Sequence, residues 1–251
     1  MNIKWNAGEY KDNFQFVHKY GEGLFSLLPQ DKDLKIIDLG CGNGALTAKL
    51  AEIYGPGNVT GIDASAEMLE TARESYPELN FIRADADALR LPEPVDVIFS
   101  NAVFHWIDDQ DALLESVASS LRPGGSLVCE FGGYGCCESI HAALEEGFEK
   151  RGRHYKRTFY FPTIGQYAPI LERHGLRVTF ATLFDRFTEL SGDDGVRDWI
   201  NMFNLTPFQG ITEDVKDDII KEATAKLKDS LYKDGRWHAD YVRIRIKAVR
   251  V

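Results

Sequence analysis

The sequence predicts an α/β protein built on a mostly parallel sheet with helices on both faces. Three observations carry that prediction. Short apolar runs alternate with helical stretches through the first half of the chain. A glycine-rich segment, Asp38-Leu39-Gly40-Cys41-Gly42-Asn43-Gly44, joins the first run to the first helix, and an acid, Asp63, closes the second run. Parallel strands linked by single helices require right-handed crossovers, so helices cover both sheet faces and ligands bind at the carboxyl ends of the strands.

Leu34 to Leu39 is an apolar run ending at glycine, and Ala45 to Tyr54 carries helical spacing. Asn58 to Ile62 forms the second strand, and Ser65 caps a helix with Met68, Leu69 and Ala72 on one face. Phe81 and Ile82 begin a third strand, and Val95 to Phe99 a fourth. Asp111 to Leu121 reads as a helix stopped by Arg122-Pro123-Gly124-Gly125, with Ser126 to Phe131 as the fifth strand. After Phe131 the rhythm changes to a glycine turn, a helix near Glu138 to Lys150, a basic aromatic stretch from Arg151 to Phe161 and a helix from Ile164 to His174. Val178 to Phe184 resumes strand character, Val196 to Phe203 and Glu213 to Tyr232 are helical, and Asp240 to Val249 is a long alternating strand. The expected architecture is one Rossmann-like domain over residues 1–251, with a seven-stranded sheet and a helical cap over 132–175 inserted after the fifth strand.

At 251 residues, 44% hydrophobic and 27% charged, the chain has the composition of a folded protein with a sizeable core. The formal net charge of -10 disfavours nucleic acid phosphates and anionic membrane surfaces as partners, since both reward clustered Lys and Arg. Met1 to Asn6 has no apolar signal-peptide region and no stretch reaches membrane-spanning length, which makes the cytoplasm the expected location. Cys41, Cys129 and the adjacent Cys136-Cys137 fit neither a zinc spacing nor a disulfide framework, so they read as reduced thiols and no metal site is expected.

The glycine-rich loop lets the backbone approach a ligand closely, and Asp63 is placed for ribose hydroxyls. These features alone do not choose between a dinucleotide and S-adenosylmethionine. Asp38 does help to choose. A carboxylate just before the loop would repel a pyrophosphate but suit the ammonium and sulfonium charges of S-adenosylmethionine. An NAD-dependent oxidoreductase remains a rival, although no hydride-transfer constellation accompanies the loop, and a non-catalytic S-adenosylmethionine-binding protein is a second rival.

The run Ile36-Ile37-Asp38-Leu39-Gly40-Cys41-Gly42-Asn43-Gly44, with Gly61-Ile62-Asp63, Ala84-Asp85-Ala86 and Leu121-Arg122-Pro123-Gly124-Gly125-Ser126-Leu127, resembles the class I methyltransferases. The resemblance implies that Gly40, Cys41 and Gly42 lie against the methionine part of S-adenosylmethionine and that Asp63 holds the ribose. It further implies that Ala64 and Met68 pack near the adenine, which Asp85 and Ala86 address at its amino edge. Trp5-Asn6-Ala7-Gly8-Glu9-Tyr10, Ser100-Asn101-Ala102-Val103-Phe104-His105-Trp106, Asp198-Trp199 and Leu205-Thr206-Pro207-Phe208 are similar to the trans-aconitate methyltransferases over nearly the whole chain. That resemblance implies an amino-terminal lid over residues 1–30, with Tyr10 closing on the cofactor, and a small carboxylic acid or similar oxygen acceptor.

Ser100 and Asn101 follow the fourth strand at the carboxyl edge and join the cofactor candidates. His105 orients a substrate oxygen, serves as a base or is a satisfied packing residue beside Trp106, and Trp106 forms pocket wall. Tyr134, in the glycine turn, and Arg153, in the cap, are further acceptor-side candidates. Arg243, Arg245 and Lys247 alternate with apolar residues in the last strand. A solvated basic face is the default reading of that pattern, and a substrate carboxylate held bidentately by an arginine here, or by Arg153 or Arg157 in the cap, is the functional one. The small-molecule acceptor is the expected partner, and the chain is expected to be a monomer or homodimer.

Overall fold

The computed structural model describes residues 22–251, and the sheet it contains follows the predicted alternation. In chain order the elements are β1 (Ile36–Leu39), α1 (Ala45–Tyr54), β2 (Val59–Asp63), α2 (Ala66–Ser75), β3 (Asn80–Arg83) and β4 (Val95–Asn101). They continue with α3 (Gln110–Ser120), β5 (Leu121–Gly132), α4 (Glu138–Glu149), α5 (Ile164–Arg173), β6 (Leu176–Glu189), α6 (Gly195–Phe203), α7 (Glu213–Leu231), β7 (Tyr232–Lys233) and β8 (Arg236–Arg250). The strand order is β3-β2-β1-β4-β5-β8-β6. The first five strands are parallel, and β8 runs antiparallel between β5 and β6. The two-residue β7 folds back on the start of β8 through Asp234-Gly235, both with positive φ as a tight hairpin turn requires. Among the described residues no helix is long and apolar enough to cross a membrane.

Alternation along the strands divides the core. Ile37, Leu39, Ile98, Leu127, Cys129 and Ile244 face one side, where α3 and α5 cover them with Leu113, Val117, Tyr167 and Leu171. Ile36, Val97, Phe99 and Val128 face the other side, under Leu46 and Leu50 of α1 and Leu69 and Ala72 of α2. The helix α2 starts as expected: Ser65 Oγ accepts the Met68 N–H at 3.2 Å and Met68, Leu69 and Ala72 are buried. All four cysteines are buried and free.

A third apolar cluster forms a helical layer, and its composition divides the expected cap. Ile140, Leu144 and Phe148 of α4 pack there with Tyr155, Trp199 and Ile200 of α6, and Ile219, Ala223 and Leu227 of α7. The helix α5 lies on the sheet instead, where Tyr167 is fully buried and its hydroxyl donates to Gln110 Oε1 at 2.9 Å. Residues 195–239 therefore complete a layer that the sequence reading had confined to 132–175. Of the expected lid, residues 22–28 lie against the sheet, with Leu24 and Leu28 buried and the Phe25 ring 5.6 Å from that of Phe99. Trp5 and Tyr10 lie outside the described residues.

The strands β6 and β8 pair from Leu176↔Arg250 to Glu189↔His238, well beyond the apolar runs that predicted them. Their outer halves carry Asp185, Arg186 and His238, so non-local pairing, not local pattern, sets their length. Removing the cap of α2 by Ser65→Ala should cost about 1 kcal/mol of stability, measurable by denaturant unfolding, with no change in secondary structure.

Candidate active site

The loop after β1 is held by backbone conformations that favour glycine. Gly40, Gly42 and Gly44 have φ of 77°, 53° and 81°. A Cβ on Gly40 would sit 2.1 Å from Val103 Cγ2, whereas one on Gly42 would meet nothing within 4 Å. The loop therefore packs tightly at its start and opens at its centre. The N–H groups of Gly40 and Cys41 donate to the Ile62 carbonyl, at 2.7 and 3.0 Å, which seats the loop on the end of β2.

Two carboxylates gather there. Asp63 accepts the Gly42 N–H at 2.9 Å on one oxygen and the Ser65 N–H at 2.8 Å on the other. Burial pushes its pKa up, partly offset by those amides. Asp38 is 2% exposed and accepts the Thr47 hydroxyl at 2.6 Å. Burial raises its pKa to about 7, the Thr47 bond opposes the rise and the charge of Asp63 adds to it. A pair of desolvated acids beside open space is a site that a cation completes, and a pyrophosphate would meet both charges unfavourably. The residues thus fit the ammonium, sulfonium and ribose of S-adenosylmethionine.

The other cofactor candidates divide by position. Met68 is buried, Ala64 lends its carbonyl to Arg83 Nε at 3.1 Å, and Ala84 N–H donates to the Asp63 carbonyl, bringing the end of β3 beside the loop. Asp85 is exposed and opens the short turn that buries Ala86. Cys41 is buried and its thiol is pushed far up by burial and by Asp38, so it is an inert wall. The Ser100 hydroxyl donates to the Leu39 carbonyl at 2.7 Å, tying β4 to β1 and using its one hydrogen within the sheet. Asn101 is buried at the end of β4, before Ala102, whose φ of 61° turns the chain so that its N–H reaches the Glu130 carbonyl.

On the acceptor side, His105 sits in a one-turn helix, and its Nδ1 accepts the Gly132 N–H at 3.2 Å. That bond leaves the remaining hydrogen of the neutral ring on Nε2. Burial, and secondarily the charge of Arg243, pushes its pKa well below the ordinary value. With Nδ1 so engaged, the neutral ring has a hydrogen to donate from Nε2 and no second lone pair to accept a proton. Trp106 stands 4.7 Å from Phe159, and the Phe159 and Phe161 rings stack at 5.2 Å; both also flank His105.

Arg243 is 8% exposed and paired in register with Gly132. Among the described residues its hydrogen bond runs from Nε to Glu130, at 3.3 Å, leaving the terminal fork open. Glu130 is buried and also receives Arg186, at 2.6 and 3.2 Å, and Arg245, at 2.8 and 2.6 Å. Burial alone would raise the Glu130 pKa, but Arg243, Arg186 and Arg245 hold it below the usual range. The basic alternation of the last strand is accordingly buried at Arg243 and half-buried at Arg245 and Lys247, where Arg245 also reaches the Gly23 carbonyl and Lys247 the Leu27 carbonyl. Tyr134 is 63% exposed, and Arg153 is exposed in the turn after α4, whereas His105 and Arg243 are buried. Glu130 and Arg186 escaped the sequence reading because their partners lie on strands distant in sequence. The isolated acid in the apolar run of β5 was the available signal.

Residues 36–125 match the family described as a methyltransferase domain. The chain is 30% identical to an "uncharacterized methyltransferase" of Schizosaccharomyces pombe, covering 97% of each, and 30% identical to the trans-aconitate 2-methyltransferase of an Azoarcus species, covering 98% of this chain and 99% of that one. An S-adenosylmethionine-dependent methyltransferase from Mesorhizobium loti shares the fold at a TM-score of 0.56 and 22% identity, covering 91% of this chain and 96% of that one. The chain belongs to the class I S-adenosylmethionine-dependent methyltransferases. Membership closes the dinucleotide alternative that the glycines left open, and S-adenosylmethionine is the cofactor.

A raised folded-state pKa means that the unligated protein binds more protons than the unfolded chain between about pH 4 and 7, so Asp38 lowers stability as pH rises through that window. A bound cation favours the ionised acid, and binding must then release a proton. Calorimetry should show S-adenosylmethionine binding tighten by up to about tenfold between pH 6 and 7.5, and Asp38→Asn should weaken binding and flatten this dependence.

Proposed function

We propose that this methyltransferase esterifies a small carboxylic acid, and that Arg243 holds a carboxylate of that acceptor. The observation that carries the reading is a buried arginine with an open guanidinium fork beside His105, at the carboxyl edge of the sheet. A planar fork matches a carboxylate bidentately, and Glu130, shared with two other arginines, engages Arg243 only through Nε. The similarity to trans-aconitate 2-methyltransferases supports the same class of acceptor.

S-adenosylmethionine, when bound, supplies a methyl group activated by a positively charged sulfur. Asp38 and Asp63 hold its cationic and ribose parts, and the open centre of the loop at Gly42 admits it. Arg243 fixes one carboxylate of the acceptor, and the His105 Nε2–H orients an acceptor oxygen. A carboxylate oxygen of the acceptor, held by these residues, would receive the methyl group that the cofactor supplies, giving a methyl ester and the cofactor's neutral thioether. The nucleophile is already deprotonated near neutral pH, so no base is needed, in keeping with a histidine whose nitrogens are both committed. The stacked Phe159 and Phe161 and the face of Trp106 exclude water from the reacting atoms.

The test is to incubate the protein with S-adenosylmethionine and trans-aconitate, then a panel of other di- and tricarboxylic acids, amines and phenols, and detect methylated products by mass spectrometry. An acid should yield a methyl ester, and Arg243→Met should lower kcat/KM for it by about 30-fold or more, mostly through KM. Methylation of amines or phenols alone, or an Arg243→Met variant equal to wild type, contradicts the reading.

A further inference from the structure

The turn that carries His105 and Trp106 is gripped by a side chain that the reaction described above does not use. Gln110 begins α3 and is 6% exposed. Its Nε2 donates to the Phe104 carbonyl at 2.9 Å and to the Ile107 carbonyl at 2.6 Å, and its Oε1 accepts the Tyr167 hydroxyl at 2.9 Å. A reversed amide would set its oxygen against two carbonyls, so these partners fix its orientation.

The two carbonyls lie on either side of the histidine and the tryptophan. The chain leaves β4 through Ala102, whose φ is 61°, and makes a single helical turn over Phe104–Trp106. Within that turn the Trp106 N–H donates to the Val103 carbonyl at 2.9 Å and the Ile107 N–H to the Phe104 carbonyl at 3.2 Å, while the Tyr160 N–H reaches the His105 carbonyl at 3.1 Å. One turn fixes several dihedrals for few hydrogen bonds and does not hold itself, so its conformation depends on what grips its ends. Ile107 is 4% exposed, and among the described residues the partner of its carbonyl is Gln110. A buried carbonyl left without a partner is costly, which ties the end of the turn to this amide. The position of the turn in turn decides whether His105 Nδ1 meets the Gly132 N–H on β5.

We infer that Gln110 is a positioning residue for the acceptor side of the site: by holding the carbonyls on both sides of His105-Trp106 it keeps the imidazole on Gly132, and so fixes which ring nitrogen carries the hydrogen offered to the acceptor. The role given to the acceptor oxygen rests on the acid-methylating reading. Tyr167 is a packing partner only. Its hydroxyl meets the one polar atom of Gln110 that does not touch the turn, and the two carbonyls keep the amide oriented without it.

Two substitutions separate positioning from packing. Gln110→Met removes both bonds to the turn, whereas Tyr167→Phe removes only the bond to α5. Each full-length protein is assayed for methyl transfer to trans-aconitate and the other acids of the panel, titrated calorimetrically with S-adenosylhomocysteine, and labelled with nitrogen-15 in its histidines. For a methylated acid kcat/KM should fall at least about tenfold in Gln110→Met and less than about threefold in Tyr167→Phe, with S-adenosylhomocysteine affinity unchanged in both. The His105 hydrogen should sit on Nε2 alone in wild type and Tyr167→Phe, and be divided between the two ring nitrogens in Gln110→Met. If Gln110→Met does not fold, Gln110→Asn, one carbon shorter and able to reach one carbonyl but not both, replaces it with the same direction expected. An equal loss in Gln110→Met and Tyr167→Phe would make the amide a packing joint between α3 and α5 and overturn the inference while leaving the acid reading intact. A Gln110→Met enzyme equal to wild type would overturn it as well. If wild type methylates none of the acids, the acid reading fails, and the spectra still decide the positioning role: a His105 hydrogen that stays on Nε2 in Gln110→Met overturns it.

Discussion

The acceptor half of the molecule depends on one buried ionic junction, the carboxylate of Glu130 shared by Arg186, Arg243 and Arg245. It joins β5, β8 and β6, the three strands that turn the parallel sheet antiparallel at one side. Removing four charges from water is expensive, and such a cluster is poor value as a source of stability compared with apolar packing. Its use is positional. One carboxylate cannot satisfy three guanidiniums, and among the described residues Arg243 is the one left with its fork open. The surplus positive charge makes that edge of the sheet receptive to an anion in a chain whose overall charge is -10.

The opposite sign is built at the other end of the site. Asp38 and Asp63 are both buried, and the charge of Asp63 raises the pKa of Asp38 further. A cation relieves that repulsion as an anion relieves the surplus at Arg243. Between the two ends lies the end of β4, fixed by the Ser100 bond to Leu39 and the Ala102 bond to Glu130. On the proposed reading the two reactants are drawn to defined places by charge, and packing sets the gap across which the methyl would pass. Orientation of this kind is the main service a protein gives to a displacement whose reactivity resides in the cofactor.

The cofactor half was legible because its signals are local. Each glycine in the loop is needed for a positive φ or an open centre, Ser65 caps its own helix, and Asp63 stands one residue from the turn it organises. The acceptor half was legible only in fragments. His105, Trp106 and Arg243 could be singled out, but the base or donor role of His105 turned on Gly132, and the fate of Arg243 turned on Glu130. The basic alternation of β8 read as a solvated face because nothing near it in sequence reveals that residues 22–28 cover it. Which layer α5 joins is not legible for a related reason: Tyr167 and Leu171 give that helix an apolar stripe that suits either layer, and in the structure it packs on the sheet beside Gln110 of α3.

The central claim is that a carboxylate on Arg243 faces the cofactor across the end of β4. The most direct measurement is a crystal structure of the protein with S-adenosylhomocysteine and trans-aconitate. The account predicts the thioether beside the loop at Gly42, one carboxylate bridging both terminal nitrogens of Arg243, and an acid oxygen within hydrogen-bonding distance of His105 Nε2. An acid bound away from Arg243, or a cofactor whose amino group avoids Asp38, would contradict it.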